Sequence, residues 1–333
     1  MNESAKIYIA NHRGLVGAAV VRQLLKLGHR AELLITRSPE LLNLQDQAAV
    51  MAFMAHEKPD QIYLPIPCLS AGDGSTTTSL LNLVNILSVI HAASLHQVGK
   101  LLLIGTPHVY PQNAMSPTAE EDLLTGPLDP ATESLGLAQI TALKLCGSLR
   151  RGSTHAPRQA PALDYRCLIT AATYGPGEPS SETTGTSITG LIQRLHQAKL
   201  AAEPCVPLPF SGDVWNEYLH VDDAARAATY LMNVTPAAYT HEIQRGISHI
   251  NAGEGKACST RALVHSLAGI VGYTGDITFA PATPGTEPTL RRLDSHRIHQ
   301  LGWYPALAME DGLALTYFDY LARTQRTRNA AAV

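Results

Sequence analysis

Apolar and polar positions along this chain fall into blocks that switch between strand and helix periods. Lys6-Ile7-Tyr8-Ile9-Ala10 reads as a strand, residues 11–17 as a tight loop, and the stretch to Gly28 as an amphipathic helix. A second strand ends at Leu34-Ile35-Thr36-Arg37. A helix over 46–56 and a strand over Gln61-Ile62-Tyr63-Leu64 follow, stopped by Pro65 and Pro67. Residues 69–79 are small and polar. A helix over 80–95 is apolar around much of its circumference, and Lys100-Leu101-Leu102-Leu103-Ile104 is a continuous apolar run of the kind a parallel sheet buries on both faces. Next come a helix over 134–149, a Pro/Arg/Ser-rich exposed linker over 150–161 and a strand over 165–171.

From about Glu178 the alternation loosens. A loop over 177–185, a helix over 188–199 and a strand region reaching Tyr218-Leu219-His220-Val221-Asp222-Asp223 open a further helix, with Asp222 and Asp223 as first-turn acids. Ile247–Ala252, a helix over 260–271 and a C-terminal helix over 309–324 complete the pattern, before a frayed tail. The expected fold is α/β: a doubly wound parallel sheet in residues 1–176, joined by segments near 215–255, a smaller substrate lobe in 177–325, and a tail at 326–333.

Strand, loop, helix, strand is how a dinucleotide-binding unit begins. Gly14 and Gly17 let a pyrophosphate approach the positive end of a helix that starts near Leu15, with Val16 in its first turn. Asn11 stands where such a loop has its first glycine. Asparagine tolerates left-handed backbone angles best among the other residues, so the turn survives, while its side chain is placed to crowd the phosphates. Arg13 in the loop and Arg37 at the second strand's end flank an adenosine ribose, and two arginines there favour the 2′-phosphate of NADP(H) over NAD. The plainer reading of both is a solvated surface arginine.

The 333 residues suffice for one two-lobed unit. Net charge is −3, and no basic run suggests a nucleic-acid or membrane surface. Cys68, Cys146, Cys167, Cys205 and Cys258 are widely spaced, without a C-x-x-C, and read as reduced thiols rather than a disulfide or metal set. The first strand begins at the N-terminus, leaving no room for a signal peptide, and the pattern contains no run of membrane-spanning length. A cytoplasmic location is expected.

Several stretches, Ile9–Gly17, Thr36-Arg37, Leu42-Asn43-Leu44, Tyr110-Pro111, Tyr174-Gly175-Pro176, Leu219–Asp223, Ser248-His249-Ile250-Asn251 and His299–Tyr304, resemble the extended short-chain dehydrogenase/reductase superfamily. Within it they are similar to the GDP-L-fucose synthase group of NADP-dependent nucleotide-sugar epimerase/reductases. The resemblance implies that fold, NADP(H) as cofactor, a nucleotide-sugar ligand, and a dimer through the helices at 80–95 and 134–149.

It also implies a catalytic tyrosine and lysine four residues apart on one helix face, the lysine lowering the phenol pKa and holding the nicotinamide ribose. Leu135 and Gln139 occupy those places, and no Tyr-x-x-x-Lys occurs anywhere in the chain. The family's serine becomes Thr106 and its acid/base cysteine becomes His108, whose imidazole titrates near neutrality. Two readings of His108 stay open: a new acid/base, or a polar filler. By the same resemblance Thr186 replaces the second acid/base histidine, and Arg194 and Tyr174 line the substrate. Asn216 replaces a substrate arginine, a loss of roughly 1.5–3 kcal/mol of charge-assisted contact. Tyr110 and Tyr174 read as cleft walls, and Arg194 equally as an exposed helix arginine.

Loss of a general acid lowers a rate roughly 10²–10⁴-fold, and loss of cooperating groups removes most of the acceleration. The chain is therefore expected to be a non-catalytic or regulatory homologue, a homodimer or the partner of an active paralogue. The alternatives are a rewired enzyme using Thr106 and His108, and an NADP(H) sensor.

Overall fold

Runs of β-branched and apolar residues between turns become strands, and the longer periodic blocks become the helices that cover them. In the computed structural model, which describes residues 4–66, 76–154, 162–179, 187–243, 246–281 and 290–331, the chain begins β1 (Ile7–Ile9), α1 (Leu15–Lys26), β2 (Leu34–Ile35), α2 (Gln47–Glu57), β3 (Gln61–Pro65), α3 (Thr76–Leu95) and β4 (Lys100–Gly105). α4 (Glu133–Thr154), β5 (Asp164–Thr170), β6 (Ala172–Tyr174), α5 (Ile188–Leu200), β7 (Cys205–Leu208) and β8 (Trp215–His220) follow. Then come α6 (Val221–Asn233), α7 (Pro236–Glu242), β9 (Ile250–Ala252), β10 (Ala257–Ser259), α8 (Thr260–Val271), β11 (Asp276–Phe279), β12 (Leu290–Arg291), α9 (His296–Gln300) and α10 (Met309–Ala331).

Six strands form one sheet in the order β2-β1-β3-β4-β5-β9, every neighbouring pair parallel. From β1 the chain steps outward to β2, then returns across to β3, so winding reverses between β1 and β3. That reversal opens a crevice beyond the carboxyl end of β1, where the loop of residues 11–17 lies. Leu101, Leu102 and Leu103 of β4 are fully buried, as a strand covered on both faces demands.

A second apolar cluster joins Ile188, Leu191, Ile192 and Leu195 of α5 to Leu263, Val264 and Leu267 of α8 and to Leu313 of α10. β7 and β11 form a small parallel pair beside it, and β8 pairs with β6, β10 and β12. Asp223 ties the two regions together. Its Oδ1 accepts from Arg226 and its Oδ2 from the N–H groups of Ala306 (3.0 Å) and Leu307 (2.9 Å), just ahead of α10.

Some boundaries differ from the pattern-based expectation. α3 begins at Thr76 rather than at 80, α4 continues to Thr154, and α10 runs on to Ala331 through the supposed tail. Local hydrogen bonds support the last turns of α10, Thr327 Oγ1 donating to the Arg323 carbonyl and Gln325 Nε2 to Asn329 Oδ1. By length and composition α3 could cross a membrane, contrary to the expectation that no run reaches that size. In this fold it is a core helix: Ile86, Val89 and Ile90 are buried with Ser79, Asn82 and Ser88. The loop expected at 69–79 and the linker at 150–161 fall largely outside the described residues. Among the described cysteines, Cys146, Cys167, Cys205 and Cys258 are free thiols.

Candidate functional site

Backbone geometry decides what the loop of residues 11–17 can do. Asn11 adopts the left-handed φ of 49° expected of it, and its carbonyl accepts the Gly14 N–H at 2.9 Å. Gly14 caps α1 with an extended backbone and contributes no side-chain hydrogen bond, so first-turn N–H groups face the crevice without an intrahelical partner. Gly17 is where the helix presses on the loop. A Cβ there would run into the Asn11 carbonyl, 2.8 Å from its carbon. His12 sits half-buried in the loop, its pKa lowered by burial and then by the Arg13 charge.

Arg13 and Arg37, the two cations expected beside an adenosine ribose, both lie near carboxylates. Arg13 lies 3.6 Å from Glu40, both exposed. Arg37 donates to Glu57 Oε1 at 2.6 Å and to its neighbour Thr36's carbonyl at 2.8 Å, with its guanidinium over the Phe53 ring. Arg13 keeps the exposure of the plainer, solvated reading, whereas Arg37 is half-buried and hydrogen-bonded. An anion reaching this end of the crevice meets guanidinium groups whose charge is partly balanced already.

At the carboxyl end of β4 the substituted residues are well defined. Gln139 is fully buried; its Oε1 accepts the Thr106 N–H at 2.8 Å and its Nε2 donates to Thr106 Oγ1 at 2.9 Å. The Thr106 hydroxyl is thus tied to Gln139, the side chain at the position where the resemblance implies a lysine. Leu135, one helical turn earlier, is 4% exposed. Gly136 allows α4 to press against the turn of Pro107–Val109, because a Cβ there would meet the His108 carbonyl. His108 is therefore half-buried beside Thr106, brought close by the turn and not by the sheet.

The expected substrate residues are dispersed. Arg194 Nη1 and Nη2 grip Glu203 Oε1 and Oε2 at 3.1 and 2.7 Å, so the half-exposed guanidinium is engaged at the end of α5. Tyr174 is buried, with its hydroxyl on the Met309 carbonyl (3.3 Å) and its ring edge-on to Tyr218 and His220. Burial raises its pKa, with Glu254 and Asp223 adding to the shift. Its contacts join α10 to β8. Asn216 is half-buried on β8 and hydrogen-bonds Tyr218, and the strand register sets it opposite Cys258 and Arg291. Thr186 lies outside the described residues.

A buried polar network escaped the sequence reading. The Tyr110 hydroxyl lies 2.6 Å from both His249 Nε2 and Asn251 Oδ1. The Asn251 N–H donates to Glu120 Oε1 (2.9 Å), whose other oxygen accepts from Arg297 Nε (3.2 Å). Burial lowers the His249 pKa to about 3 and raises that of Glu120 to about 7. Glu217 was missed too; its carboxylate accepts the N–H groups of Gly255 and Leu293 and fixes the segments around β10 and β12. The available signal was a lone acid at an inward position of a strand. Among the described residues, no cluster of three or more His, Cys, Asp or Glu is placed to hold a metal.

A parallel sheet wound both ways, a glycine-spaced loop under its first helix and a smaller lobe over the carboxyl strand ends define a dinucleotide-binding α/β protein of the extended short-chain dehydrogenase/reductase kind. The chain belongs to the NAD dependent epimerase/dehydratase family, whose model matches residues 7–243. GDP-L-fucose synthase of Escherichia coli (strain K12) is 36% identical over 327 residues, 97% of this chain and 98% of that one. Among solved structures, a GDP-D-glycero-L-gluco-heptose synthase from Campylobacter jejuni, determined in the presence of NADPH, superposes with a TM-score of 0.87. It has 27% identity and covers 96% of this chain and 99% of its own. A GDP-mannoheptose C4 reductase from the same organism, with NADP bound, gives 0.83 at 29% identity, covering 96% and 99%.

Proposed function

We propose that this chain is an NADP(H)-binding homologue of the GDP-sugar epimerase/reductases that does not itself carry out their hydride transfer, and serves as a non-catalytic or regulatory member. The observation that carries this reading is the Gln139–Thr106 pair beside a buried Leu135: at the site of proton donation there is an aliphatic chain and an amide that has no charge to lower a phenol's pKa. Related structures hold NADP or NADPH, and the residues here fit that group in part. First-turn peptides of α1 would take the pyrophosphate, and Arg13 and Arg37 the adenosine 2′-phosphate. When bound, the cofactor would supply or accept hydride; the protein's own part at that end is reduced to shaping the crevice.

Leu80, Leu81 and Val84 of α3 and Leu137 and Leu145 of α4 are exposed on two helices that pack together, which supports a homodimer or a pairing with an active paralogue. Free thiols fit a cytoplasmic location. The proposed division into a cofactor domain over 1–176 and a substrate lobe over 177–325 does not coincide with the two apolar clusters: Tyr174 belongs to the second, while buried apolar residues over 219–252, with Leu293, Ile298 and Trp303, join the first.

The test is reduction of GDP-4-keto-6-deoxymannose by the purified chain with NADPH. Turnover indistinguishable from background is expected, with NADPH binding detectable by fluorescence titration; robust turnover defeats the reading. A second reading rests on His108 lying next to Thr106: chemistry rewired around an imidazole. If any activity on a nucleotide sugar is found, His108→Ala must lower it, and an unchanged rate removes that role.

A further inference from the structure

The second glycine of a dinucleotide loop is small so that a ligand's pyrophosphate can come close to the helix peptides. In this chain the space bared at Gly14 is not open. The Asn11 carboxamide lies over it, its Nδ2, Cγ and Oδ1 at 2.8, 3.1 and 3.2 Å from where a Gly14 Cβ would stand. One residue thus fills what another leaves out. We infer that Asn11 is an affinity-determining residue of the cofactor crevice, its side chain occupying the pyrophosphate approach and having to swing aside before a dinucleotide can seat.

The backbone explains why this residue can sit there. Asparagine and aspartate, after glycine, best tolerate φ 49°, and the Asn11 carbonyl is committed to the Gly14 N–H. The main chain cannot retreat, because Gly17 packs against that same carbonyl. Only rotation of the side chain clears the path. Displacing an amide from the mouth of a helix N-terminus opposes binding, and a carboxylate in its place would oppose it further by repelling phosphate.

The inference rests on the NADP(H)-binding reading, and the experiment separates the two. Dissociation constants for NADPH and for adenosine 2′-monophosphate, which has no pyrophosphate, are measured by titration for the full chain, Asn11→Gly and Asn11→Asp. Glycine adopts φ 49° freely and aspartate tolerates it, so both variants should keep the melting temperature of the parent to within a few degrees. The expected result is NADPH binding at least tenfold tighter in N11G and at least tenfold weaker in N11D, with adenosine 2′-monophosphate unchanged within twofold in N11G. NADPH affinity unchanged or weakened in N11G overturns the inference, because the carboxamide would then be neutral or a phosphate donor. An equal gain for both ligands overturns it as well, since the effect would not be local to the pyrophosphate. Binding of neither ligand by any of the three proteins removes the cofactor reading along with it.

Discussion

Replacing Glu120 by Gln gives a direct measure of how strongly this fold desolvates a charge. The carboxyl is 4% exposed and faces the Asn251 N–H, the Arg297 guanidinium, the neighbouring acid Glu121, the Tyr110 hydroxyl and neutral His249 beyond it. Burial outweighs the N–H groups and Arg297 and lifts its pKa from 4.5 to about 7. The folded chain therefore keeps a proton that the unfolded chain has lost anywhere between those two values. Stability from this group is complete below about pH 4.5, declines as pH rises through the interval, and is gone above 7. At about 1.36 kcal/mol per pH unit the interval amounts to about 3 kcal/mol.

Other groups titrate too. His249 acts with the opposite sign: its lowered pKa makes the folded state resist protonation, so stability falls as pH drops below 6.5. The informative quantity is accordingly the difference between parent and Glu120→Gln, from urea unfolding at pH 5, 6, 7 and 8. Between pH 5 and 8 the parent should lose about 2–3 kcal/mol relative to the variant. A difference that stays flat would mean that Arg297 holds Glu120 ionised throughout and that the ion pair, not desolvation, governs the site.

Gly17→Ala should destabilise by about 3 kcal/mol or more, because the added methyl meets the backbone of Asn11 and not a flexible side chain; a loss under 1 kcal/mol in urea unfolding would contradict the packing. Asp223→Ala should lower stability by about 3–5 kcal/mol, leaving Arg226 and the N–H groups of Ala306 and Leu307 without their acceptor, and a change within 0.5 kcal/mol would show that solvent replaces it. The proposed dimer predicts that the parent sediments as a dimer in analytical ultracentrifugation and that Leu81→Glu with Leu137→Glu yields monomer at unchanged melting temperature; a monomeric parent, or a dimer that persists in the variant, refutes that interface.

The fold was legible where one residue's neighbours in sequence are also its neighbours in space. The run Leu101 to Ile104 announces a strand covered on both faces, and Asn11 at the first glycine's place announces a left-handed turn. What stayed hidden was pairing over distance. Glu57 is 20 residues from Arg37, Asn251 is 131 from Glu120, and Arg297 is 177 from Glu120. No periodicity relates such positions, so the sequence could place Arg37 and Arg194 but not their carboxylates. Helix ends went astray for a related reason. α10 reaches Ala331 through a run too polar to demand burial, sustained by its own hydrogen bonds rather than by a core.

The same distinction bears on how a scaffold outlives its chemistry. A lysine at position 139 would bring three donors and no acceptor, leaving the buried Thr106 N–H unanswered and an ammonium where nothing is exposed. Glutamine brings one of each, and Thr106 accepts one and supplies the other. Leu135 gains roughly 1.5–3 kcal/mol from burial alone, whereas a phenol at that position would need a partner for its hydroxyl. Both side chains suit a buried, internally satisfied site, which is consistent with the proposed loss of proton transfer. On the proposed reading this wall of the crevice is apolar and internally hydrogen-bonded, and the features that favour dinucleotide binding lie at its other end, in the loop of residues 11–17.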